Sequence, residues 1–272
     1  MRLGVMIDLH SDVEKSFRQL MEIGLSDCQL CCWDTSLFTE VIAGKVREET
    51  NRLGIKISTF WCGWPGPKVW DFYEGPITLG LTPSEYRYAR SEALMKGSDF
   101  AKLLGVDQMA THVGFIPENP LDPAYAAMVA ILKDIVGHCE KNGQKFLFET
   151  GQETPITLLR LMEDLGKKNV GVNLDPANLL LYGKANPVDA LDILGPYVLD
   201  VHAKDGEYPV NGKSLGEEKA LGQGKVNFPC FIFRLKEMGY DGPITIEREI
   251  SGEQQKKDIL EAIKLLEPLI TA

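Results

Sequence analysis

Apolar, β-branched-rich runs recur along the chain, with amphipathic stretches between them. The runs 3–9 (LGVMIDL), 27–33 (DCQLCCW), 55–62 (IKISTFWC), 107–113 (DQMATHV), 145–150 (KFLFET), 170–175 (VGVNLD), 197–204 (YVLDVHAK) and 243–249 (PITIERE) predict strands. Segments 12–23, 36–53, 83–104, 122–142, 155–166, 187–194, 227–238 and 254–269 predict helices. Several open on a cap or an early proline, as at Ser11-Asp12, Asp122-Pro123 and Asn186-Pro187, and many stop at glycine, as at Gly24, Gly54, Gly105 and Gly166. Strand–helix alternation without a break in composition predicts a parallel α/β architecture.

The phase of the polar residues separates an open sheet from a closed one. Helices cover both faces of an open parallel sheet, so its strands read as nearly uniform apolar runs. Here Phe146 and Phe148 oppose Lys145, Leu147 and Glu149, and Val170, Val172 and Leu174 oppose Gly171, Asn173 and Asp175. Leu199, Val201 and Ala203 likewise oppose Asp200, His202 and Lys204, and Ile244 and Ile246 oppose Thr245, Glu247 and Glu249. One apolar face, with the other turning polar toward the strand's C-terminal end, predicts a closed parallel eight-stranded (β/α)8 barrel, a single domain over 1–272.

Composition sets the partners. With 272 residues, 44% apolar, 25% charged and a net charge of -10, the chain has an ordinary globular balance and an acidic surface that disfavours nucleic acid and anionic membranes. No stretch approaches the roughly 18 apolar residues of a membrane helix, and MRLGVMIDLH lacks a signal peptide's apolar core. The expectation is a cytoplasmic protein with reduced thiols. Cys28 and Cys31 fall on opposite strand faces and so predict buried, inert thiols rather than a metal clamp.

Glu149, Asp175, His202 and Glu247 lie near the ends of four successive predicted strands, 26, 27 and 45 residues apart, all with inward parity. Three carboxylates and an imidazole converging on one barrel mouth suit an oxygen-preferring divalent cation such as Mn2+, Mg2+ or Co2+. A network of buried ion pairs is the alternative, but three inward carboxylates with few cationic partners are costly without a cation.

The segments FET (148–150), NLDPANLL (173–180), DVHAKD (200–205), GQGKVNF (222–228) and ITIERE (244–249) resemble the xylose isomerase-like TIM barrel superfamily, which includes sugar phosphate isomerases/epimerases, ketose 3-epimerases, inosose dehydratases and endonuclease IV. The resemblance implies one divalent metal ion, Mn2+ first and Mg2+, Co2+ or Zn2+ otherwise, held by Glu149, Asp175, His202 and Glu247. It implies a sugar or sugar-phosphate isomerase/epimerase in which a bound cation acidifies the C–H beside a carbonyl, with Glu149 and Glu247 as acid and base. A dehydratase-like lyase acting on a keto-polyol or keto-sugar, or a non-catalytic carbohydrate-binding barrel, would use the same scaffold. The family also points to a homo-oligomer, a dimer or tetramer. Where many members carry a histidine three residues after the aspartate, this chain has Asn178, which can bind a hydroxyl but cannot carry a proton. Four histidines in all are too few for the trinuclear nuclease site.

Other mouth residues carry two readings each. His112 has inward parity and either binds substrate or orients Glu149, while Lys204 either binds a hydroxyl, phosphate or enolate or forms a salt bridge. Trp33 is the best placed of Trp33, Trp61 and Trp64 to stack on a sugar face. Glu153 either contacts substrate or, the more usual case, is an exposed helix-start acid, and Arg248, of outward parity, is structural or reaches a neighbouring loop. Gly222-Gln223-Gly224-Lys225 is either a phosphate loop or turn chemistry. The irregular segment 62–83 reads as a functional lid.

Overall fold

The predicted caps set where the helices begin and end in the computed structural model, which describes residues 1–271. Asp12 accepts a hydrogen bond from the Lys15 amide at the start of α1 (Val13–Ile23), and Asp122 does the same for Ala124 at α5 (Pro123–Lys141). Thr39 caps α2 (Glu40–Leu53), Thr154 caps α6 (Pro155–Leu165) and Asn186 caps α8 (Pro187–Leu194). Gly24, Gly54 and Gly166 close α1, α2 and α6 in the left-handed conformation, and Gly105 closes α4 (Ser84–Leu104) in the same way.

The strands are β1 (Arg2–Asp8), β2 (Asp27–Cys32), β3 (Lys56–Cys62), β4 (Gln108–Thr111), β5 (Lys145–Glu149), β6 (Val170–Leu174), β7 (Val198–Ala203) and β10 (Pro243–Ile246). They close in the order β1-β10-β7-β6-β5-β4-β3-β2, every neighbouring pair parallel. α9 (Phe228–Glu237) and α10 (Glu253–Thr271) complete the outer ring. Three small elements escape the hydrophobic periodicity. These are α3 (Gly75–Thr78) inside the 62–83 loop, α7 (Pro176–Leu181), and an antiparallel ribbon of β8 (Asp205–Gly206) with β9 (Glu218–Lys219). Among the described residues no helix is long and apolar enough to cross a membrane.

Strand parity divides the core as expected. Phe146, Phe148, Val172, Leu174, Val201, Ala203, Ile244 and Ile246 pack outward beneath the helices, while Cys31, Trp61, Ala110 and Leu147 form a small interior cluster. Cys28 faces outward and Cys31 inward, so they share no ion, and burial raises both thiols. Leu199 departs from the expected phase and packs into the barrel interior. The register between β6 and β7 slips between Val172 and Asn173, which lets Leu199 and the following Asp200 both turn inward. A second slip, between β2 and β3 at Cys28/Gln29, aims two successive hydroxyls at Asp200: Ser58 at 3.1 Å and Thr59 at 2.7 Å. Thr245 donates a third at 3.0 Å. These bonds satisfy a fully buried carboxyl beneath the barrel mouth.

The 62–83 segment is anchored to the barrel and folded on itself by specific hydrogen bonds. Arg90, fully buried on α4, donates to the carbonyls of Pro65 (3.0 Å), Pro67 (2.7 Å) and Gly80 (2.7 Å) and lies 4.0 Å over the Trp64 ring. Burial pulls its pKa down to about 10, so it stays charged at neutral pH. Within the loop, the Asp71 carboxylate accepts from the amides of Tyr73, Glu74 and Gly75.

Candidate metal centre

Four strand ends bring Glu149, Asp175, His202 and Glu247 together, with one potential ligand atom from each lying within 4.8 Å of all the others. Glu149 ends β5, and Asp175 follows β6 as the N-cap of α7, accepting from the Asn178 amide at 2.9 Å. That bond takes one carboxylate oxygen and leaves the other facing the cluster. His202 Nδ1 lies 3.3 Å from Glu149 Oε1, 3.1 Å from Glu247 Oε2 and 3.7 Å from Asp175 Oδ2. Even so, Asp175 Oδ2, His202 Nδ1 and Glu247 Oε2, all buried, form no hydrogen bond of good geometry, although the two oxygens lie at ion-pair distance from Lys204 as well as from His202. Buried polar atoms left in this state are rare and call for a partner.

The imidazole is held from behind. Its Nε2 lies 2.7 Å from Gln29 Oε1 and 3.0 Å from Asn173 Nδ2. The Gln29 carbonyl oxygen is the nearer, so a neutral ring donates from Nε2 and turns the Nδ1 lone pair toward the three carboxylates. Gln29 on β2 has the same inward parity as Trp33 just beyond that strand, and that was the sequence signal that could have found it.

The charges fit a cation. Burial opposes ionised Glu149, but the His112 and His202 imidazoles outweigh it and hold its pKa well below the carboxylate range. Burial likewise opposes ionised Glu247, yet Lys204 and His202 bring its pKa down to about 2. Burial opposes a charged His202, but Glu149 and Glu247 raise its pKa well above the imidazole range. Three carboxylates around one imidazole draw positive charge, whether a proton or a metal ion, and the orphaned oxygens and nitrogen are hard and borderline donors of the kind that divalent cations take. This buried cluster can hold a metal ion.

The scaffold has known counterparts. Residues 17–269 match the family described as xylose isomerase-like TIM barrel. The chain belongs to the xylose isomerase-like TIM barrel family. A crystal structure of a xylose isomerase domain protein from Planctomyces limnophilus is 35% identical, covers 98% of this chain and 96% of its own, and superposes with a TM-score of 0.93. An uncharacterized protein of Methanocaldococcus jannaschii is 31% identical over 169 residues, so that the match spans 58% of this chain and 56% of that protein. A D-tagatose 3-epimerase-like protein, at 23% identity and TM-score 0.76 over 100% of this chain and 97% of that one, shares the fold. So does a probable 3-DHS dehydratase from Bacillus anthracis, at 16% identity and TM-score 0.68 over 98% and 99%.

Around the cluster, the mouth of this xylose isomerase-like barrel forms a cavity of about 570 Å³. His112 lines it with Nε2 at 3.3 Å from Glu149 Oε1, and Trp61 donates its indole N–H to the other oxygen of Glu149. Lys204 does not line the cavity. Its ammonium sits behind the cluster, 2.9 Å from Glu249, 3.2 Å from Glu247, 3.5 Å from Asp175 and 3.3 Å from the Asn178 amide oxygen. Lys204 thus forms the salt bridges of the second reading, and Asn178 itself reaches the cavity. Trp33 also lines it, packed against Trp61, Trp64 and Trp70. Trp64 is turned away, donating toward the His112 carbonyl at 3.3 Å.

One expectation changes and one open alternative is decided. Glu153 is buried rather than exposed, because Thr154 takes the cap of α6 and the turn before it folds into the mouth. The glycine loop is turn chemistry: the Asp205 carboxylate accepts from the amides of Gly222 (2.9 Å), Gly224 (3.0 Å) and Val226 (3.1 Å). Arg248 is structural, as its outward parity suggests, bonded to Glu218 (3.0 Å) and Asp258 (2.8 Å).

Proposed function

We propose that this chain is a metal-dependent isomerase/epimerase of keto-sugars, with Glu149, Asp175, His202 and Glu247 holding one divalent metal ion, Mn2+ in the first place. The observation that carries this reading is the set of three buried donor atoms, Asp175 Oδ2, His202 Nδ1 and Glu247 Oε2, left without hydrogen bonds beside Glu149. The occurrence of a D-tagatose 3-epimerase-like protein and a D-psicose 3-epimerase among proteins of the same fold adds to it. When bound there, the cation would polarise a carbonyl oxygen and stabilise the negative charge that grows as the neighbouring proton leaves.

The chain's own residues supply the proton chemistry. Glu149 and Glu247 reach the cluster from β5 and from the turn after β10, on either side of the wall formed by β6 and β7. Both are held ionised, so either can accept the α-proton, while return of a proton from the opposite face requires the other carboxylate first to take one up from solvent. His112 and Trp61 fix the Glu149 carboxylate by bonding its two oxygens. The Trp33 and Trp70 rings give the cavity an apolar wall for the C–H face of a sugar.

Glu149→Gln and Glu247→Gln should each lower turnover on the order of 10²–10⁴-fold while circular dichroism still reports a folded barrel. Deuterium incorporation from D2O into a ketose panel by the Mn2+-loaded protein reads the reaction directly. Wild-type turnover in both variants would remove the acid/base assignment, and a product lighter by one water would identify a dehydration in place of an isomerisation.

A further inference from the structure

Phosphorylated and free sugars differ by a dianion, and the cavity's surroundings discriminate between them. Of the basic side chains that line it, Arg248 is bonded to Glu218 and Asp258, and His112 to Glu149. Lys204, behind the lining, is surrounded by Glu249, Glu247 and Asp175. Asp8, Glu149, Glu247 and Glu249 line the same space, so no unpaired cation is among the lining residues, and Lys68 stands outside them with its ammonium 4.7 Å over the Trp33 ring. The glycine loop after β7, where barrels often bind phosphate, has its amides taken by the chain's own Asp205 carboxylate. An internal anion already fills that nest.

What the cavity does offer is neutral and unsatisfied. Gln152, 2% exposed, lines the cavity with neither its amide nitrogen nor its oxygen hydrogen-bonded. The Tyr182 hydroxyl, also buried and lining, has the Gln152 side chain as a polar neighbour but no hydrogen bond of good geometry, and its ring is fixed edge-on against Phe72 and Phe115. An amide supplies a donor and an acceptor, and a phenol supplies both on one atom, which together match an alcohol that must donate and accept. Buried groups of this kind are destabilising until a partner arrives, so they favour a ligand that provides one.

We propose that Gln152 and Tyr182 form a hydroxyl-binding subsite that selects an uncharged, polyhydroxylated keto substrate over its phosphorylated counterpart. This rests on the isomerase/epimerase reading only in that the substrate's carbonyl end faces the metal cluster. The test uses the Mn2+-loaded protein with D-fructose, D-tagatose and D-psicose against D-fructose 1-phosphate and 6-phosphate. Binding is followed by saturation-transfer NMR and reaction by deuterium incorporation.

The neutral ketoses should bind at least tenfold more tightly than the phosphates. Gln152→Ala and Tyr182→Phe should each weaken neutral-sugar binding about tenfold, the loss falling on KM rather than kcat, with bound metal unchanged. Phosphates binding as tightly as the free sugars, no binding of any neutral sugar, or unchanged affinity in both variants would overturn the subsite. Preference for neutral sugars without deuterium incorporation would sink the isomerase reading and leave the subsite standing. Incorporation into the phosphates alone would do the reverse. Since the preference is measured on the unaltered protein, a variant that fails to fold does not shield the proposal.

Discussion

Glu153 folds with its carboxyl buried near His112, and burial raises its pKa to about 7. The folded chain therefore binds a proton more tightly at this site than the unfolded chain, whose carboxyl titrates near 4.5. Between those values the folded state holds more protons, so the contribution of Glu153 to stability falls as pH rises through this window and is lowest above about 7. Replacing it with Gln removes that dependence. Denaturation of Glu153→Gln and wild type, compared from pH 5 to pH 8, should show the variant gaining stability relative to wild type with pH, by roughly 3 kcal/mol at most. Parallel curves would contradict the burial cost. Glu153 was misread because a helix-start acid is ordinarily solvated, and only the turn between Glu149 and Thr154 carries this one inside. Gln152 and Tyr182 were invisible for a related reason, since neither has a strand phase to report which way its side chain points.

At the scale of elements, the strands and their inward faces were legible because a closed barrel enforces a period of two. Glu149, Asp175, His202 and Glu247 could be aligned from spacing alone. The exceptions are local slips in pairing: Leu199 turned inward because the β6/β7 register shifts, and nothing in VLDVHAK marks that shift. The 62–83 segment was recognisable as unusual by its length and aromatics, but three of its carbonyls are bonded by Arg90, a residue outside the segment. Arg90→Met would strand three carbonyls and remove the cation over Trp64, costing roughly 3 kcal/mol in chemical denaturation. It should also open 62–83 to limited proteolysis, and resistance equal to wild type would show that the loop is held by other contacts.

For the whole molecule, the cluster couples metal binding to folding, since its ligands come from four strands that meet only in the closed barrel. A cation at about 100 times its Kd adds about 2.7 kcal/mol, which for a chain of this length raises Tm by roughly 5–10 °C. Thermal denaturation with Mn2+ and with a chelator should differ by that amount, and Asp175→Asn should abolish the difference. Equal melting temperatures for wild type in the two conditions would count against the metal centre. Sequence by itself determined the alternation of strands and helices, the caps, the barrel's inner and outer faces and the four residues at its mouth, because each follows from periodicity and local hydrogen bonding. Tertiary structure alone decided that Gln29 orients His202, that Lys204 stands behind the cluster, that Asp205 fills the glycine loop and that Gln152 and Tyr182 face the cavity unpartnered. Those outcomes depend on distances between residues far apart in the chain, which no local pattern encodes.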